Sequence, residues 1–449
     1  MKYLTLEQHR ARIHNINSAE TGNHKYFRRH RVHDYMPGQV TYNLGDYPAR
    51  FSIEPTEYDF NMLKSMAENG VELIQIHEEW NDSIRHLGAD KFSSFDPEGL
   101  QKFVDMCHYF GMKIIPYISS GFFHEFDSDF KEEFSCRKRH CTVGMHFSYR
   151  TCSAGSAQWR EYLLPRTFGV LDKYGFDGIY NDWGADSSWM INKQLKREGL
   201  QYYDPEIEDL LSIIYGEVKK RGGTYKLHCG ENDAPPTIDR VYDYLWIGEC
   251  VKYSKVGVGK DFPDYVVPCP DFAHDVEGSF ESHFAKAIPF MQFPLLAWGR
   301  PLWGKRIEED IPYYGNQGPG TEYDFNRRVG EYMKDHPNGP YIHSLWSAIP
   351  EDENIYPMWC KYLRLYKPMV EENSVVFVEL RECDEILSPL PEEIYASMFV
   401  NEEVYLVISN MGNHDYTLEL TKQWRDRVTN ITNKKFVIKP GAILFLMKQ

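Results

Sequence analysis

Residues 156–183 read SAQWREYLLPRTFGVLDKYGFDGIYNDW, and this stretch contains one complete helix-to-strand unit. Ser156 is a helix cap, and Trp159, Leu163, Val170 and Leu171 recur at helical spacing, with Pro165 expected to kink the helix. Gly175 stops it. Phe176 to Tyr180 is then a short apolar run of the kind buried on both faces in a parallel sheet, and it ends on the polar pair Asn181-Asp182.

The same unit repeats on either side. Upstream, Thr56 opens a helix with Asp59 as its capping-box acid and Phe60, Leu63 and Ala67 as its stripe. Gly70 closes that helix before a strand at Val71 to Ile76. A second copy has Asp96 as cap and Pro97 in the first helical position, then Leu100, Phe103, Val104, Cys107 and Phe110. Gly111 ends it ahead of the strand Met112 to Ile118. Downstream, Asp204-Pro205 starts a helix carrying Ile207, Leu210, Leu211, Ile214 and Val218. Gly222 stops this one and leads into Thr224 to His228, with a further strand at Tyr242 to Ile247.

Strands separated by helices of this length must pair in parallel, and successive right-handed crossovers build either a barrel or a doubly wound sheet. No GxGxxG or GxxxxGK[ST] follows any strand, which favours the barrel. The expected fold is therefore α/β: a (β/α)8 TIM barrel over residues 1–370, with a small C-terminal antiparallel β-sandwich domain over 371–449. The first barrel strand is placed at Val40 to Asn43, and the last ones at Val266 to Cys269, Phe293 to Ala297 and Tyr341 to Leu345. A long helix, Tyr356 to Val370, closes the barrel region. Beyond it come β-rich runs at Val375 to Glu379, Tyr395 to Val400, Val404 to Ser409, Tyr416 to Leu420 and Ala442 to Met447. These fit a sandwich or a lone sheet.

Composition narrows the functional classes. The net charge is −16, an acidic balance that disfavours nucleic acid and anionic membranes as partners. The first residues lack the apolar core of a signal peptide and no stretch is apolar enough to span a bilayer, so a cytoplasmic setting is expected. Nine cysteines without a CxxC pair suit reduced, mostly buried thiols. Aromatic residues reach 15%, which serves either core bulk or stacking platforms for a ring-shaped ligand. No cofactor is implied, and association of copies is left open.

In a parallel barrel the reacting groups sit at the C-terminal strand ends, and polar residues gather there repeatedly. His77, Glu78, Glu79 and Trp80 follow the second strand, and Ser119 and Ser120 the third. Asp182 and Trp183 follow the fourth, His228, Cys229 and Glu231 the fifth, and Glu249 the sixth, just after Trp246. Any one of these could be a cap or a rim charge. Five strand ends in succession argue for a site.

The segment Gly175-Phe176-Asp177-Gly178-Ile179-Tyr180-Asn181-Asp182 resembles the fourth strand of clan D retaining glycoside hydrolases, the α-galactosidase and α-glucosidase-like barrels. There, a Gly, an apolar residue and an Asp open the strand, and a second Asp five residues later is the nucleophile. The resemblance implies Asp182 as nucleophile, with Asp177 structural. Trp246-Ile247-Gly248-Glu249 is similar to the Trp-x-Gly-Asp that delivers the acid/base in part of that clan, with Glu in place of Asp. It implies Glu249 as acid/base. Retention needs one ionised carboxylate to attack the anomeric carbon and one protonated carboxyl to assist the leaving oxygen, ~5 to 5.5 Å apart.

On this reading the chain is a glycosidase that releases a terminal, α-linked hexoside from an oligosaccharide or glycoside by double displacement. Glu79, Trp80, Trp183, His228, Glu231 and Trp246 are its expected substrate contacts, and no metal is required. Two other classes fit the same residues. One is a metal-dependent barrel hydrolase using His77, Glu78, His228, Cys229 and Glu231, although no HxH or HExxH pairing fixes that geometry. The other is a non-catalytic carbohydrate-binding barrel.

Overall fold

The computed structural model describes residues 25–29, 35–45, 52–81, 92–124, 127–135, 149–182, 205–228, 241–247, 256–257, 266–269, 280–301, 305–306, 341–342, 349–350, 352–370, 376–380, 385–387, 389–400 and 403–449. In chain order the first half comprises β1 (Lys25–Arg29), β2 (Gln39–Asn43), α1 (Glu57–Glu68), β3 (Leu73–Ile76), α2 (Pro97–Tyr109), β4 (Lys113–Ser119), β5 (Phe122–His124), β6 (Tyr149–Thr151), α3 (Ala157–Tyr174) and β7 (Gly178–Asp182). Then follow α4 (Pro205–Lys220), β8 (Thr224–His228), β9 (Tyr244–Ile247), β10 (Val266–Pro268), α5 (Glu281–Ala287), β11 (Leu296–Gly299), β12 (Lys305–Arg306), β13 (Tyr341–Ile342) and α6 (Ile355–Val370). The chain ends with β14 (Val376–Leu380), β15 (Ile394–Val400), β16 (Val404–Asn410), β17 (Tyr416–Asp426), β18 (Thr432–Ile438) and β19 (Ile443–Lys448).

Eight strands form one curled parallel sheet in the order β10-β9-β8-β7-β4-β3-β2-β11. Barrel strands one to eight are thus β2, β3, β4, β7, β8, β9, β10 and β11, with β11 returning to lie beside β2. The Leu295 N–H donates to the Pro268 carbonyl at 2.8 Å and bridges the last two strands. This is the expected TIM-barrel architecture, and β2 matches the predicted first strand. One late assignment changes: Tyr341–Ile342 pairs in parallel with Lys305–Arg306 in a separate two-stranded ribbon, and Leu296–Gly299 supplies the eighth barrel strand. A short antiparallel ribbon, β5 with β6, rises from the loop after β4.

Local sequence explains the repeating unit. Thr56 and Asp59 form a reciprocal capping box at α1, Asp96 accepts from the Gly99 N–H ahead of Pro97 at α2, and Ser156 accepts from the Trp159 N–H at α3. Each cap is worth ~1 kcal/mol. Gly175 ends α3 with φ 69°, a left-handed conformation that costs a residue with a Cβ. Pro165 sits inside α3, which still runs on to Tyr174. At Gly178, φ is 147° and a Cβ would collide with the backbone of Thr224 on β8, so the first position of β7 has room for glycine alone.

The first and eighth strands are tied to the first helix by a buried ion pair. Asp59 on α1 is fully buried and takes the guanidinium of Arg300, which follows β11, on both carboxylate oxygens at 2.9 Å. It also accepts the Tyr42 hydroxyl of β2 at 2.7 Å. Arg300 donates further to the carbonyls of Leu44, Ser52, Ile53 and Glu54 and so pins the loop between β2 and α1. The charge of Arg300, with the Thr56 and Tyr42 bonds, overcomes burial and holds the Asp59 carboxyl below the usual carboxylate range.

The C-terminal region is an antiparallel sheet in the order β1-β14-β15-β16-β19-β17-β18. Its edge strand β1 comes from residues 25–29, far from the rest in sequence. A register shift between Glu419 and Trp424 bends β17, so that its first half and β18 contribute Leu418, Leu420 and Ile438 to a cluster with Leu406, Ile408 and Leu446. The other face of the sheet joins the barrel core through Phe399, Tyr405, Val407 and Phe445. Large aromatics fill the described interior: Trp80, Trp159, Trp359 and Trp424 are fully buried. Of the described cysteines, Cys107, Cys152 and Cys360 are buried and Cys269 is half-buried. No helix among the described residues is long and apolar enough to cross a membrane.

Candidate active site

Side chains alternate along a strand, so Tyr180 and Asp182 of β7 point to one side and Ile179 and Asn181 to the other. Tyr180 meets His77, Tyr117, His228 and Trp246 from four other barrel strands or their ends, which makes its side the barrel interior. Asp182 is the last residue of β7 on that interior side. One carboxylate oxygen accepts the Tyr117 hydroxyl at 3.0 Å, and the other lies 2.6 Å from Nδ1 of His228. With Asp182 ionised, Nδ1 carries the proton and donates. Asp182 keeps 21% of its side chain exposed and His228 12%, so the pair opens toward solvent at the mouth of the barrel.

Aromatic packing fixes these partners in place. The His228 ring stands edge-on to Trp246 of β9, with centroids 4.0 Å apart and planes at 82°, and stacks on Tyr180 at 6.3 Å. Trp246 is nearly buried, and its indole N–H has no hydrogen-bond partner among the described residues. Tyr117 lies parallel to His77 at 6.4 Å. Burial works against a charge on His77, but Glu78, 3.6 Å away, and the charge of Glu79 outweigh it and raise the imidazole's affinity for a proton. Behind the strand, Asn181 accepts the Ser120 N–H and donates to the Ser120 and Tyr225 hydroxyls, which locks the turn after β4 to the end of β7.

The sequence-predicted residues divide into three groups. Asp182, His228 and Trp246 come together. Trp80 does not join them: it is fully buried, packs edge-on to Phe176, and donates its indole N–H to the Tyr117 carbonyl at 2.9 Å, so it offers no stacking face to a sugar. Its neighbour Glu79 is also almost entirely buried. Trp183, Cys229, Glu231 and Glu249 lie outside the described residues. The metal-binding alternative brings His77 beside Glu78 and His228 beside Asp182, and no group of three ligand-type side chains occurs among the described residues.

Sequence reasoning missed Tyr117, Tyr180 and Lys226. All three hold interior positions of apolar strands, and their signal is the period-two parity with the polar residue that ends each strand. Lys226 lies one interior step below His228. It is fully buried with its ammonium 2.9 Å from the Gln39 side-chain oxygen, and burial lowers its pKa to about 7.

No family model and no curated protein matches the sequence. Solved structures do match the fold. The GH36 α-galactosidase AgaA from Geobacillus stearothermophilus, in complex with stachyose, superposes with a TM-score of 0.56 at 10% identity, over 92% of this chain and 56% of that one. The galactosidase domain of the α-galactosidase-sucrose kinase AgaSK gives 0.53 at 11% identity, over 93% and 55%. The maltogenic α-amylase AmyB of Thermotoga neapolitana gives 0.53 at 10% identity, over 91% and 98%. This chain therefore spans a little over half of the two galactosidase chains and nearly all of the amylase. Its fold, a TIM barrel followed by a C-terminal β domain, is the one these structures share. At these identities the likeness is one of fold.

Proposed function

We propose that this protein is a retaining glycosidase acting on a terminal, α-linked hexoside of an oligosaccharide or glycoside, with Asp182 as its nucleophile. The observation that carries the reading is the setting of Asp182. It is a partly exposed carboxylate at the C-terminal end of the fourth barrel strand, with hydroxyl and imidazole donors on its two oxygens. Such donors keep a carboxylate ionised and fix its plane, as an attacking group requires. The glycoside hydrolase fold of the neighbours supports the same chemistry.

In the first displacement a carboxylate oxygen of Asp182 bonds to the anomeric carbon while the glycosidic oxygen departs with the proton of a second acid. Water then cleaves the ester, giving its proton back to that acid. Glu249, two residues beyond β9, is assigned that role from its sequence position. Trp183 and Glu231, also beyond strand ends, are assigned to substrate contact on the same ground, and Trp246 borders the site.

The test is covalent trapping. A panel of 2-deoxy-2-fluoroglycosyl fluorides should leave one sugar on the peptide that contains Asp182, read by mass spectrometry. A glycosyl adduct on another carboxylate, or hydrolysis of aryl glycosides that inverts the anomeric centre, would overturn the assignment. Glu249→Ala should slow substrates with poor leaving groups most, and a uniform small effect would point to another acid.

A further inference from the structure

We infer that His228 acts on the nucleophile through Nδ1, as a positioning residue that together with Tyr117 aims the Asp182 carboxylate. This rests on the glycosidase reading of Asp182 and gives His228 a different task from the direct sugar contact expected at a strand end.

A carboxylate at the last position of a strand is free to turn about two side-chain bonds, and only donors on both oxygens define its plane. Here those donors come from the two strands flanking β7: Tyr117 of β4 on one oxygen at 3.0 Å, and His228 of β8 on the other at 2.6 Å. The imidazole bond is short for an N–H to O contact, as expected when the acceptor is charged. Each donor is itself held from outside the pair. Trp246 stands against the edge of the imidazole at 4.0 Å and Tyr180 stacks on its face, so rotating the ring away from Asp182 would break both contacts. Tyr117 is lined up by His77 and Tyr180. The aim of one carboxylate is thereby referred to five barrel strands or strand ends, so that displacing one neighbour leaves the others in register.

Nδ1 and Nε2 of an imidazole are separated in space, and different amides imitate them. Asn at position 228 can place an N–H donor near where Nδ1 sits, whereas Gln reaches toward the Nε2 position. If His228 serves Asp182, His228→Asn should retain most of kcat, within about tenfold of wild type, while His228→Gln and His228→Ala lose 100-fold or more. KM should change little in all three, because the loss falls on the reacting geometry. Rescue by Gln with failure of Asn, or a loss confined to KM, would overturn the inference and return His228 to sugar contact.

A second measurement does not depend on turnover. A short N–H bond to a carboxylate gives a strongly downfield proton resonance. One such signal, absent from His228→Ala, should be present in wild type and should shift or vanish in Asp182→Asn. Its absence from wild type would refute the positioning role whatever the substrate proves to be. Trapping on a carboxylate other than Asp182 with this signal intact would instead overturn the nucleophile assignment alone.

Discussion

Two aspartates in this molecule each hold a tyrosine hydroxyl and a basic side chain, yet they occupy opposite kinds of place. Asp59 sits on the outer side of the barrel between α1, β2 and the residue after β11, fully buried, with Arg300, Tyr42 and the Thr56 cap filling its oxygens. Asp182 sits at the inner mouth, a fifth of its side chain exposed, with one described donor on each oxygen. Saturated, dry and clamped by a fixed charge, the first holds the barrel together. Partly open and aimed by an imidazole, the second faces the barrel mouth. The residue types are nearly the same, and what separates the two settings is the access of solvent.

The largest expected effect breaks this contrast at the mouth. Asp182→Asn removes the charge of the proposed nucleophile while keeping the shape, so turnover should fall on the order of 10⁴-fold or more. Because Asp182 and His228 are both partly exposed, the melting temperature should stay within about 2 °C of wild type. Near-normal turnover would remove Asp182 from the reaction, and collapse of the fold would place it with Asp59.

At the clamp the ranking reverses. Arg300→Ala leaves a buried carboxylate without its counter-charge and strips the loop carbonyls of their donor, which should cost about 3 to 5 kcal/mol in urea unfolding. The Asp59 carboxyl is held below its ordinary value in the fold. Its contribution is therefore present in full above the unfolded pKa of about 4 and is lost as pH falls through the depressed folded value. An acid-unfolding profile of Arg300→Ala should lack that component. A profile parallel to wild type would show that the pair adds nothing.

Much of the barrel was legible because its signals are local. Caps at Thr56, Asp96 and Ser156 and the stop at Gly175 mark helix ends within a few residues, and Asp182 stands out at the end of the strand that follows. What escaped depends on contacts across the sequence. Arg300 meets Asp59 across 241 positions, and β1 reaches the C-terminal sheet from residues 25–29, with nothing in either segment to announce it. Trp80 was misjudged for a different reason. The chain enters a 3₁₀ turn at Glu78–Trp80, so the alternation that sorts inward from outward residues ends at His77, and the indole turns back into the core.

Lys226 offers a third case that sharpens the contrast: a buried basic group without a carboxylate among its described hydrogen-bond partners, held only by Gln39. Burial lowers its pKa to about 7, so between that value and the unfolded value of about 10.4 the unfolded chain binds a proton that the folded one lacks. Wild-type stability should rise with pH across this window. Lys226→Met should be the more stable protein by a few kcal/mol below pH 7, with the gap closing toward pH 10. A gap independent of pH would mean that Lys226 is not buried uncharged.

The smallest effect is expected at Asp177, which immediately precedes the strand that Asp182 closes. It accepts the Ile114 N–H at 2.8 Å and meets Nε2 of His108 at 2.8 Å, with about a third of each side chain in solvent. Asp177→Asn keeps a carbonyl oxygen for Ile114 and loses only a screened interaction with His108. Stability should fall by less than about 1 kcal/mol, and turnover should not change. The two aspartates lie five residues apart, one just before β7 and the other at its end, so the pair of variants compares the two ends of the barrel with the fold held constant. If Asp177→Asn lowered turnover as much as Asp182→Asn, the site would have to extend through the barrel, and the division between a structural end and a chemical end would fail.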